Sequence, residues 1–303
     1  MNLTKNQHTP STLIGYEILP QETDPQIDDW FEPHYVVINK SRPFQNRLFL
    51  FFSGSYGHCG NQRLIIQQAA KLGYHAINLR YPNTQTIGGL CRLSNNLDCH
   101  EQARQAIIHG SHPTNDIQIS RANSITNRLV KLLIYLYEKH PEDSWLQYLQ
   151  GLTINWDSII LAGHSQGGGH AAMIAKNNRV ARVIMFSAPS DYSKTRQTPA
   201  PWLLKDSATP TNRYYGFAHA QENGIERIVQ AWQLLGMNNY GAVVNIDHQP
   251  FPYHNAHQLV TNVQIKQLKK RHGSVVVDAV TPKHKNGQPL FHEVWSYLIC
   301  EES

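Results

Sequence analysis

Ser165 is the residue on which chemistry can be built. It stands in Gly163-His164-Ser165-Gln166-Gly167, after the apolar run Ile159-Ile160-Leu161-Ala162 and before Ala171-Ala172-Met173-Ile174-Ala175-Lys176. The run reads as a buried strand and the alanine-rich stretch as a helix. A G-x-S-x-G between strand and helix presents its serine on a sharp turn as a nucleophile. The outer glycines remove the Cβ atoms that would keep strand and helix apart around that turn. A serine hydroxyl is a weak nucleophile, so it needs a base to take its proton and a carboxylate to orient that base.

Where such a motif stands in an open α/β sheet, the acid and then the histidine follow the serine along the chain, on loops at the C-terminal ends of later strands. Two acids meet that condition. Asp191 lies just beyond Arg182-Val183-Ile184-Met185-Phe186, and Glu222 lies beyond the next strand, near Arg213 to Phe217. Both also have plain structural readings: Asp191 in a turn with Ser190, Glu222 near the first turn of a helix from Ile225. They stand as rivals, with Glu222 in the commoner slot. For the base, His272 follows the last core strand, Gln258 to Val263, and precedes Gly273-Ser274, which allow a tight loop. His248, His254 and His257 come before that strand, His284 lies in a polar turn, and His292 sits on a terminal helix. His164 and His170 flank the serine and are read as packing residues. The developing oxyanion needs two backbone N–H donors. Gln166, directly after the serine, supplies one; the Gly54-Ser55 turn supplies the other through Ser55.

The elements that must position these residues are legible from periodicity. Leu13 to Leu19 and His34 to Asn39 read as leading strands, and Arg47 to Phe52 as a strand buried on both faces. Arg63 to Leu72 is a helix closed by Gly73, and Ala76 to Tyr81 is the next strand. Ser124 to Glu138 and Ile225 to Leu235 carry apolar residues at helical spacing. Ser274 to Val280 reads as a further β-rich run and Phe291 to Ile299 as a terminal helix. Strands alternating with helices imply a mostly parallel sheet with helices on both faces, an α/β fold. Residues 13–303 read as a single domain, residues 1–12 as a loose N-terminus, and 83–120 as a covering insertion after the fourth strand.

The 303-residue chain is 41% hydrophobic and 16% charged, which suits a globular protein. Its net charge of +5 is scattered, and the densest basic run, Lys269-Lys270-Arg271-His272, is too narrow for a nucleic-acid surface. There is no HExxH and no CxxC, so a metal site has no motif behind it, and serine chemistry of the kind outlined above needs no cofactor. No apolar run approaches a membrane span. The N-terminal residues lack the apolar segment of a secretory signal, which points to the cytoplasm, to export by another route, or to a leader already removed. Of Cys59, Cys91, Cys99 and Cys300, spacing alone permits a Cys91–Cys99 loop without establishing it.

With these residues in place the chain resembles the α/β-hydrolase superfamily, and within it a little-characterised, esterase-like branch. The resemblance is carried by Gly163-His164-Ser165-Gln166-Gly167-Gly168-Gly169-His170, Phe52-Ser53-Gly54-Ser55, Trp202 after Asp191, Arg271-His272-Gly273-Ser274 and Trp295-Ser296-Tyr297-Leu298. It implies the α/β-hydrolase fold, a triad of Ser165, His272 and Glu222 or Asp191, and a serine hydrolase acting on a carboxylic ester. Cys91, Cys99 and Arg104 resemble a Cys–Cys insertion of that branch, for which a disulfide is expected in exported members. Many relatives have Asp where this chain has Glu222, which keeps Asp191 in contention. A small ester or lipid-like substrate is expected, with Tyr56, Tyr81, Leu90 and the insertion lining an acyl pocket. An acyltransferase, thioesterase or amidase uses the same acyl-enzyme, and a non-catalytic binding protein of this fold requires a lost triad member.

Overall fold

The computed structural model describes residues 12–110 and 117–300. Most of the stretch expected to be loose, 1–12, and residues 111–116 of the insertion lie outside the described residues. Among the described residues the central sheet has nine strands: β1 (Leu13–Ile18), β2 (His34–Asn39), β3 (Leu48–Phe52), β4 (His75–Asn78), β5 (Ile159–His164), β6 (Arg182–Phe186), β7 (Tyr214–His219), β8 (Val244–Asn245) and β9 (Gln258–Thr261). Their spatial order is β1-β2-β4-β3-β5-β6-β7-β9-β8. β2 runs antiparallel to both β1 and β4, and every other neighbouring pair is parallel. The β4–β3 exchange beside a long parallel run, with the serine turn at the end of β5, is the α/β-hydrolase fold.

Alternation along the strands builds two cores. Leu48, Leu50 and Phe52 face one cluster, while Phe49 and Phe51 face the other. The first cluster is covered by α2 (Cys99–His109), α3 (Ile125–Lys139), α4 (Gln166–Asn177) and α5 (Ile225–Leu234), the second by α1 (Arg63–Lys71) and α6 (His292–Ile299). Because both faces are buried, the central strands show unbroken apolar runs rather than alternation with polar residues. Among its described residues the covering insertion has two helical pieces, a turn at Ile87–Cys91 and α2, and a Cys91–Cys99 disulfide joins them.

Two local expectations change. The valine-rich Ser274 to Val280 run is not a strand. It continues the helical turn Arg271–Ser274, with Val276 and Val277 N–H both donating to Gly273 O. Val275 and Val276 are fully buried in the second cluster, and Trp295 Nε1–H donates to Val275 O at 3.0 Å. Burial against α6 outweighs the β-propensity of valine here. The edge strand β8 went unread because two residues carry no periodicity.

Candidate active site

The parallel register brings several strand ends to one edge of the sheet. Phe52 pairs with Gly163, His164 with Phe186, Phe186 with Phe217, and His219 with Thr261. The segments Ser53–Ser55, Ser165, Ser187–Asp191, Ala220–Glu222 and the run to His272 all leave from that edge.

Ser165 has φ 53° and ψ −119°, a conformation of order 1–3 kcal/mol above the ordinary regions. The surroundings hold it there. Its N–H donates to Phe186 O at 2.9 Å. A Cβ on Gly163 would lie 2.4 Å from Gly167 C, and one on Gly167 would lie 2.1 Å from Phe52 O. Both glycines are therefore dictated by backbone passing backbone. A Cβ on Gly54 would come within 3.2 Å of Ser165 Cβ, so the turn after β3 lies directly against the serine.

That turn is itself braced. The fully buried Asn83 donates from Nδ2 to Gly54 O at 2.7 Å and to Gly57 O at 2.9 Å. Ser55 Oγ–H donates to Gln166 Oε1 at 2.9 Å, which joins the two residues expected to supply oxyanion donors. Gln166 is the first residue of α4, so its N–H has no carbonyl four residues back and belongs to the electropositive helix start.

Of the two rival acids, Glu222 is the one against His272. Its Oε2 lies 2.5 Å from His272 Nδ1, with the glutamate side chain fully buried and the imidazole 41% exposed. His219 shapes that loop from below: its Nδ1 accepts from Gln221 N–H at 3.0 Å, its Nε2 donates to Val263 O at 2.9 Å, and its carbonyl accepts from Glu222 N–H. Asp191 is engaged elsewhere. Arg104 Nε and Nη2 donate to its two oxygens at 2.8 and 2.6 Å, and Trp202 Nε1–H adds a bond of 2.9 Å. Burial alone would raise the Asp191 carboxyl, but the Arg104 charge and these hydrogen bonds outweigh it and hold the group well below the usual carboxylate range.

Sequence reading missed several supports. His164, expected only to pack beside the serine, does more: its Nε2–H donates to the His272 carbonyl at 2.9 Å, and Ser187 Oγ–H donates to the same oxygen at 3.0 Å. Burial first, then the neighbouring His272, pushes the His164 pKa down to about 3, so it is a neutral donor. The only signal for it was its place before Ser165; Ser187, His219 and Asn83 carried none. Tyr81, expected to line an acyl pocket, is instead core: it is fully buried and its hydroxyl donates to Ser53 O at 2.6 Å. Tyr56 is 63% exposed beside the Gly54 turn, and Leu90 is half-buried in the insertion.

A groove of about 900 Å³ between Tyr192–Lys194 and α5 contains none of these residues. Among the described residues one His/carboxylate group, His140, Glu142 and Asp143, is close enough to share a cation. The Lys40 ammonium already lies 3.0 Å from both of its carboxylates. No described helix is long and apolar enough to cross a membrane.

No family model matches the chain, and no curated protein matches it in sequence. Solved structures do resemble it. A hormone-sensitive lipase from a metagenome library is 13% identical over 88% of this chain and 81% of its own, with a TM-score of 0.40. Esterase B from Lactobacillus rhamnosis, in a structure with a tributyrin phosphonate inhibitor, is 11% identical over 84% and 77%, with a TM-score of 0.43. The likeness is one of fold, and the strand order described above stands independently of it.

Proposed function

We propose that the chain is a serine hydrolase that cleaves a carboxylic ester through an acyl-enzyme. The observation that carries this reading is the Glu222–His272 pair, at 2.5 Å, on the same sheet edge as the strained Ser165. Ser165 Oγ attacks the ester carbonyl while His272 Nε2 takes its proton. The carbonyl electrons move to oxygen, where the N–H groups of Gln166 and Ser55 meet the charge. His272 returns the proton to the departing alkoxide, and the alcohol leaves. Water, deprotonated by the same imidazole, attacks the acyl-Ser165 ester and releases the acid. Glu222 keeps the Nδ1–H tautomer and stabilises the imidazolium in both halves. Asp191 has no part in the proton path, because its oxygens are committed to Arg104 and Trp202.

A fluorophosphonate probe and short p-nitrophenyl esters test the reading. Wild-type protein is expected to be labelled at Ser165 and to turn over the esters, and Ser165→Ala to do neither. Folded wild-type protein that takes no label, with ester turnover equal in Ser165→Ala, sinks it.

A further inference from the structure

The covering insertion reaches the residue after the nucleophile at two points. Arg104, on α2 and 3% exposed, donates from Nη1 to the Gln166 carbonyl at 3.0 Å. The rest of its guanidinium is fastened in bidentate fashion to Asp191, and Trp202 fixes the aspartate in turn. The N–H of Ile87 donates to Gln166 Oε1 at 3.0 Å, on the same oxygen that accepts from Ser55 Oγ. The third glycine of the run after Ser165 belongs to this arrangement. A Cβ on Gly169 would lie 2.1 Å from Arg104 Nη2 and 2.3 Å from its Cζ. Inside α4 an alanine would serve the helix better, so the glycine is explained by the guanidinium that fills its missing side chain's space.

We propose that Arg104, braced by Asp191, is a positioning residue for the oxyanion site: it clamps the Gln166 carbonyl and thereby aims the Gln166 N–H. The inference rests on the serine-hydrolase reading above. A residue has two soft backbone dihedrals. With its carbonyl held by Arg104 and its side chain held by Ser55 and Ile87, Gln166 cannot turn its N–H away from the turn after β3. A buried ion pair is a poor source of net stability, because desolvating both charges offsets their attraction. A bidentate pair does supply fixed geometry, which is what a preorganised donor needs. Aim matters most when the negative oxygen forms, so misaiming slows the chemical step and leaves substrate binding nearly alone.

The test compares wild type with Gly169→Ala, Arg104→Lys and the double variant Arg104→Met/Asp191→Asn. Ester hydrolysis supplies kcat and KM, and circular dichroism and melting supply the fold. Gly169→Ala keeps both charges and pushes the guanidinium off Gln166. The double variant removes both charges together and leaves no buried ion alone. Both are expected to lower kcat about 10- to 100-fold, part of the cost of losing an oxyanion donor, with KM within about threefold. The pH dependence of kcat should keep its wild-type shape, since neither variant touches His272 or Glu222. Arg104→Lys is expected to fall between, as it keeps the charge and loses the fork. Folded Gly169→Ala with wild-type kcat, or a loss confined to KM, overturns the proposal. If the double variant does not fold, Gly169→Ala decides alone. A wild-type protein with neither label nor turnover overturns the hydrolase reading and this inference together; an active wild type with indifferent variants overturns this inference only.

Discussion

Replacing Glu222 by Gln separates the two carboxylates most sharply. The substitution keeps size and an acceptor oxygen for His272 Nδ1–H, and removes one negative charge from a side chain that is fully buried. In the proposed reaction that charge matters when His272 becomes an imidazolium. With the oxygen 2.5 Å from Nδ1, the charge centres sit roughly 4 Å apart, worth about 4 kcal/mol at an effective dielectric of ~20. The half-exposed imidazole justifies that dielectric rather than a lower one. At about 1.4 kcal/mol per decade, kcat should fall on the order of 10³-fold, with KM little changed. Initial rates on p-nitrophenyl esters measure it, with active-site titration of the labelled serine to correct for inactive protein. Asp191→Asn should cost no more than about 100-fold, through the Gln166 clamp alone. Glu222→Gln within tenfold of wild type, beside a larger loss in Asp191→Asn, refutes the assignment and returns the acid role to Asp191.

Two further outcomes follow from the fold. Burial pushes His164 down to about 3 and His75 to about 4, and holds the fully buried His34 and His170 well below the ordinary histidine range. The unfolded chain therefore binds more protons below about pH 6.5, so stability is full above that pH and is lost as pH falls toward 3, by about 2 kcal/mol for His164 alone at pH 5. Burial raises Asp278 to about 6, which works in the opposite direction as pH falls, but one carboxylate stands against four imidazoles. Guanidinium unfolding at pH 7.5 and pH 5 measures the balance, and an unchanged midpoint contradicts it. The Cys91–Cys99 disulfide closes a loop of sequence separation 8, for which chain entropy gives about 2.5 kcal/mol. Replacing both cysteines with serine should lower the melting temperature by several degrees; an unaltered melt shows that the insertion is ordered without the link.

Ser165 and its glycines were legible in the sequence because their requirement is local. A strained turn between a buried strand and a helix leaves no room for Cβ atoms at Gly163 and Gly167, whatever the rest of the chain does. The central strands were legible nearly as well, since burial on both faces makes β3, β5 and β6 continuous apolar runs; their spatial order was not. Ser274 to Val280 misled because valine's β-propensity is weaker than the pull of the space beneath Trp295. The choice of acid was only weakly legible, Glu222 standing in the commoner slot with Asp191 as its rival. Glu222 and Asp191 follow neighbouring strands with similar loops, and what separates them is Arg104, some 87 residues from Asp191 in the chain. Likewise His164 and Ser187 meet the His272 carbonyl only because the parallel register puts β5, β6 and that loop side by side. The sequence by itself determined the strained serine turn and the strands of the sheet, through local sterics and periodicity. Tertiary structure alone decided which charges are paired, because the energy of a buried charge depends on neighbours that the chain brings together from far apart.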